Sequence, residues 1–100
     1  MKYIVLKLTV QIAGQDDLVR EMPIIFPDAL AHKDMAEAVL SLRAYPGMAL
    51  AEVVSAGFLS CVNLHPRCHG ESESLKIKSR FEQDSKLIGM IDYSHGIVLG

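Results

Sequence analysis

The chain has 100 residues, of which 50% are apolar and 22% charged, with a formal net charge of −2 and two cysteines. That length holds one domain with a modest core, and that composition excludes intrinsic disorder. The slightly acidic balance argues against generic binding to nucleic-acid backbones, which needs clustered positive charge.

The first segment, "MKYIVLKLTVQIAG", carries a lysine and an apolar run in the manner of a signal peptide. Lys7, Thr9 and Gln11 break the run at every second position, which is strand spacing. Ile4, Leu6, Leu8, Val10 and Ile12 then share one face, and Tyr3, Val5, Lys7, Thr9 and Gln11 the other. No stretch reaches the roughly 18–20 uninterrupted apolar residues of a membrane span, so a soluble, cytoplasmic protein with no membrane partner is predicted.

Gly14 to Asp17 supplies turn residues, and "VREMPIIFP" follows as the second arm of a hairpin. Pro23 makes that arm an edge strand or a bulged one. A helix is predicted in "ALAHKDMAEAVLSLRAY", where Ala31, Met35, Val39 and Leu42 recur on one face and Lys33, Glu37 and Ser41 on the opposite one. Asp28 is its predicted N-cap, and Pro46-Gly47 ends it. Residues 50–62, "LAEVVSAGFLSCV", read as a strand, with a helical option for the first half. "ESESLKIKSR", residues 71–80, alternates again and forms the other arm of a second hairpin. Beyond it the pattern fits neither period well: a short helical turn near Glu82 to Ile88 and an extended tail are predicted. The predicted fold is a two-layer α+β domain spanning residues 1–100, with an antiparallel sheet of about four strands in two hairpins packed on one main helix.

"CVNLHPRCH", residues 61–69, holds both cysteines and two of the four histidines. Cys61, His65, Cys68 and His69 are zinc-ligand types, and Cys61, His65 and Cys68 form the candidate metal set, with His32 or His95 able to complete a smaller site. Structural zinc sites usually pair two short knuckles across a longer segment, whereas these ligands all crowd into one stretch. A Cys61–Cys68 disulfide would contribute ~2.5 kcal/mol by loop entropy but suits an oxidising compartment. A thiolate dyad with His65, His69 or His95, oriented by Asp92, lacks any nucleophile signature around either cysteine. The reading preferred on these grounds is a hairpin loop: Asn63 and Pro66 shape the turn, His65 and Arg67 face water, and the cysteines act as small apolar residues.

Other chemically suggestive segments are thin. "DYSH", residues 92–95, reads as ordinary tail, and His32 as a partly exposed polar residue near a helix start. Ser72, Ser74, Lys76, Lys78 and Arg80 share one face of the predicted strand, and Lys76, Lys78 and Arg80 make it a basic stripe for a partner. Phosphate loops, HExxH and GxSxG patterns are absent.

"MPIIFPDALAHKDMAEAV" and "ESESLKIKSR" resemble segments of small accessory proteins carried by bacteriophages and prophages. The resemblance implies a bacterial cytoplasmic setting and contact with another macromolecule, and it assigns no activity or site residue. The functional expectation is a non-enzymatic binding or modulatory protein that acts through an exposed strand edge or the 72–80 stripe on a protein partner. Alternatives are a metal- or thiol-dependent site in the 61–69 stretch, a homo-oligomer paired through an edge strand, and nucleic-acid binding through the stripe.

Overall fold

The structure is a computed structural model that describes residues 1–10, 13–41, 48–62 and 65–90. The predicted stop at Pro46-Gly47, the turn residue Asn63 and the 92–95 segment lie outside them. The strands are β1 (Lys2–Val10), β2 (Leu18–Phe26), β3 (Met48–Val62), β4 (His65–His69), β5 (Glu71–Ser72) and β6 (Ile77–Lys78), with helices α1 (His32–Ser41) and α2 (Phe81–Gly89).

β1 to β4 form one antiparallel sheet in the order β2-β1-β3-β4, so the fold is α+β with two hairpins, as the patterning predicts. The alternation in β1 decides what each face meets. Ile4 and Leu6 join Ile24, Phe26 and Ala56 beneath Met35 and Ala36 of α1, with Leu75 and Ile77 packed alongside. Tyr3 and Val5 face the other way and join Ile25, Leu59 and Cys68 beneath Ile88 of α2. The segment predicted as a helical turn near 82–88 is therefore a true helix that adds a layer, and β1 is buried on both faces at this end. In β3, Ser55 pairs with Val5 and Val53 with Leu6, which leaves Val54 as a bulge residue. The bulge lets Val53 pack on the α1 side and Val54 on the α2 side.

Three local predictions are corrected. Asp28 does not cap α1: it lies 3.3 Å from the amino group of Met1. The helix instead starts at His32, and the Lys33 amide donates to Ser74 Oγ at 3.1 Å, a cap supplied from 41 residues away. Residues 71–80 are not one strand arm but a small hairpin of their own, Glu71 pairing with Lys78 and Ser72 with Ile77. The alternation fails there because Ser72 organises a turn: its hydroxyl accepts the Leu75 amide at 3.1 Å, its carbonyl accepts the Lys76 amide at 2.8 Å, and Lys76 takes φ +57°. The second arm of the larger hairpin is instead the histidine-rich segment 65–69, which is strand rather than loop. No helix among the described residues is long and apolar enough to cross a membrane.

Candidate functional site

Strand pairing sorts the Cys/His residues by face. Phe58 pairs with His69, Leu59 with Cys68, Cys61 with Pro66, and Val62 with His65. The pleat therefore sends Cys61 and Cys68 to the α2 face and His65, Arg67 and His69 to the opposite one. Cys68 is fully buried, whereas Cys61, His65 and Arg67 are exposed. Both thiols are free, and among the described residues no three His, Cys, Asp or Glu side chains gather as a metal site. Burial raises the Cys68 thiol above its ordinary pKa against the opposing hydrogen bonds of Ser85 and Tyr3, so it stays protonated at neutral pH. Alkylation of the native protein is expected to modify Cys61 rapidly and Cys68 only after unfolding, read as one added mass and then two. Two fast thiols would mean that α2 does not shield β4.

The basic stripe is divided between the surface and an ion-pair network. Lys76 and Lys78 are exposed, but Arg80 is half-buried and forks onto Glu21, with Nη1 to Oε1 at 2.9 Å and Nη2 to Oε2 at 2.8 Å. Its Nε also donates to Asp84 Oδ1 at 3.0 Å and its amide to Asp84 Oδ2 at 2.9 Å. Asp84 is fully buried and accepts the Tyr3 hydroxyl at 2.7 Å. Tyr3, Asp84, Arg80 and Glu21 thus form one chain in which every carboxylate oxygen has a donor. Arg80 holds Glu21 below the usual carboxylate range, and burial followed by the Asp84 contact pushes the Tyr3 phenol well above its ordinary value. Groups so fully spent on each other clamp α2 to the sheet and leave no acid or base poised for chemistry.

The recess of interest lies on the other face, where α1 begins against β3 and the β5–β6 hairpin. Lys2, Ala31, His32, Phe58, Glu71, Glu73 and Ser74 line a cleft of about 540 Å³. Its floor is built from rings. His32 is buried, places Nε2 2.7 Å from the Gly57 carbonyl and packs edge-on against Phe26 and Phe58, each at 5.5 Å. A carbonyl only accepts, so Nε2 carries a proton and the ring is fixed. Phe58 also stacks on His69 at 6.0 Å. On the rim, Lys2 is tied down by donating to the Leu30 carbonyl at 2.9 Å, and Ser74 holds the hairpin to the helix start. Glu71 and Glu73 are exposed, and neither has an ion pair among the described residues.

His32, expected as a partly exposed polar residue, is instead buried because its ring packs against Phe26 and Phe58, and the expectation did not extend to Phe58 or the paired glutamates. Their alternation in 71–80 was visible; the turn that brings them to the start of α1 was not. Two carboxylates against one engaged ammonium, beside an aromatic ring, suit a cationic group that presents a flat or aliphatic face. Ser74, the hydroxyl of the cleft, bonds to the Lys33 amide and to Ser72 Oγ. Comparison with protein-family models, curated proteins and solved structures gave no match.

Proposed function

We propose that this chain is a small non-enzymatic binding protein that engages a protein partner by receiving an Arg- or Lys-bearing segment in the cleft beside α1. The observation that carries the reading is the juxtaposition of the half-buried Phe58 ring with the uncommitted carboxylates of Glu71 and Glu73. The aliphatic stem of an Arg or Lys can pack on the exposed part of the half-buried ring while a carboxylate accepts from its charged head, so that both contributions act on the same side chain. Commitment of Arg80 to Glu21 and Asp84 thins the positive charge near 76–80, which favours a protein over a nucleic acid as partner. A bacterial cytoplasmic setting is part of this proposal. It accords with the pair of free thiols and with the likeness of residues 22–39 and 71–80 to small phage proteins.

Titration of the labelled protein with N-acetyl-arginine amide, and then with short arginine-containing peptides, tests the reading by amide chemical shifts. Saturable shifts confined to Phe58, Glu71, Glu73, Ser74 and the start of α1 are expected. The Glu71→Gln/Glu73→Gln variant should bind about tenfold more weakly, the equivalent of one lost charge-assisted contact. Absence of shifts at millimolar probe, or shifts indifferent to the two substitutions, would overturn it.

A further inference from the structure

The two edges of the sheet are finished differently. Leu59 and Met1 exchange hydrogen bonds, N–H to O at 2.7 Å and 3.2 Å, which fixes the direction of the amides along β1 and along β3 from Ser55 onward. On β4 the outward positions are therefore 66 and 68. Pro66 has no N–H to offer, and the Cys68 amide donates to Ser85 Oγ of α2 at 2.9 Å. That edge is closed.

On β2 the outward positions are the odd ones. Pro23 blocks the row in the middle, but Val19 and Glu21 turn backbone N–H and C=O groups away from β1, with no hydrogen-bond partner for them among the described residues. The same stretch exposes two large apolar side chains, Leu18 at 39% and Val19 at 45%. Arg20, Asp16 and Asp17 are exposed around them. An unpaired strand edge that opens with two exposed apolar side chains accepts another strand, and the charges decide which one.

We infer that the occupant is a second copy of this chain, paired antiparallel through β2 about a two-fold axis at Leu18. Outward odd residues must meet outward odd residues, so only a few registers exist. Centring on Val19 sets Asp17 against Glu21, and centring on Arg20 or Glu21 sets like charge on like charge at the axis. Centring on Leu18 places Leu18 against its copy and Arg20 opposite Asp16 of the second copy, twice by symmetry. Asp16 and Asp17 precede β2, so pairing lengthens the strand by two residues, and Val19 and Asp17 of the second copy then exchange main-chain hydrogen bonds. The sheet then continues through the axis from one copy into the other. The inference is independent of the cleft, which opens beside α1 and β5–β6 rather than on β2.

Sedimentation equilibrium of the full chain from micromolar to millimolar concentration reads the result directly. A reversible dimer is expected. Arg20→Asp should weaken it about tenfold, Asp16→Arg should do the same, and the double reversal should restore it. Leu18→Lys should give a monomer whose thermal melt still shows a folded domain. A monomer at millimolar concentration overturns the inference, as does a dimer indifferent to both charge reversals. A monomer whose Val19 and Glu21 amides are nonetheless protected from hydrogen exchange also overturns it, because the chain itself would then occupy the edge.

Discussion

Asp84→Ala is expected to destabilise the domain by about 3–5 kcal/mol, the usual cost of removing one partner from a buried charge pair. The carboxylate is fully buried and receives the Tyr3 hydroxyl, the Arg80 amide and the Arg80 guanidinium. Its removal takes from the buried Tyr3 phenol its carboxylate acceptor and leaves it only the weak Cys68 thiol, while Arg80 keeps only Glu21. For a domain whose total stability is roughly 5–15 kcal/mol, that loss approaches the threshold of folding. Tyr3→Phe removes one hydrogen bond from the same carboxylate and should cost less, about 1.5–3 kcal/mol, because Arg80 still satisfies Asp84. Urea unfolding at constant m-value measures both. Equal losses for the two variants would mean that the Tyr3–Asp84 hydrogen bond carries the whole contribution and that the Arg80 contacts to Asp84 add nothing.

Gly57→Ala should be at least as damaging, for a steric reason. A Cβ at that position would stand 2.5 Å from the His69 carbonyl oxygen, 3.0 Å from Ser79 Cβ and 3.3 Å from a Tyr3 ring carbon. The nearest atom is backbone of the neighbouring strand, so relief requires β3 and β4 to separate instead of one side chain turning aside. Overpacking of this kind costs about 3 kcal/mol or more, which for a domain of this size lowers Tm by roughly 10–20 °C. It would also disturb the cleft, since the Gly57 carbonyl holds His32. Gly89→Ala is the control: its Cβ would meet only Pro66 Cγ at 3.7 Å, an ordinary contact, and the melt should stay put or rise slightly. A Gly57→Ala protein that melts with the parent would mean that the strands lie farther apart than described.

How much of this was legible in the residues depends on how local each signal is. The period of two in β1 and the spacing of Met35 and Val39 announced a strand and a helix, because each pattern is complete within one element. The same alternation hid the second layer: Tyr3 and Val5 look like the lesser face of a half-solvated strand until α2 is placed over them. Pro66 made 61–69 look like a loop, yet proline is well suited to an edge whose N–H would point outward. The cap of α1 could not be read near residue 28, because Ser74 provides it from another element. For the candidate cleft, His32 was noticed and Phe58, Glu71 and Glu73 were not, since only the left-handed turn at Lys76 and its serine brace bring the hairpin to the helix.

The position of β1 carries a consequence for how the chain is made. It comes first in order yet lies inside the sheet, between β2 and β3, and Tyr3 meets a side chain 81 positions later. A growing polypeptide can close the β1–β2 hairpin early, but the other edge of β1 waits for β3, and one face waits for α2. Until those segments have left the ribosome, the surface around Tyr3 and Val5 lacks the α2 side chains that pack on it in the finished fold. The unfinished chain is thus the form most open to misassociation, with rapid completion or a chaperone as its protection.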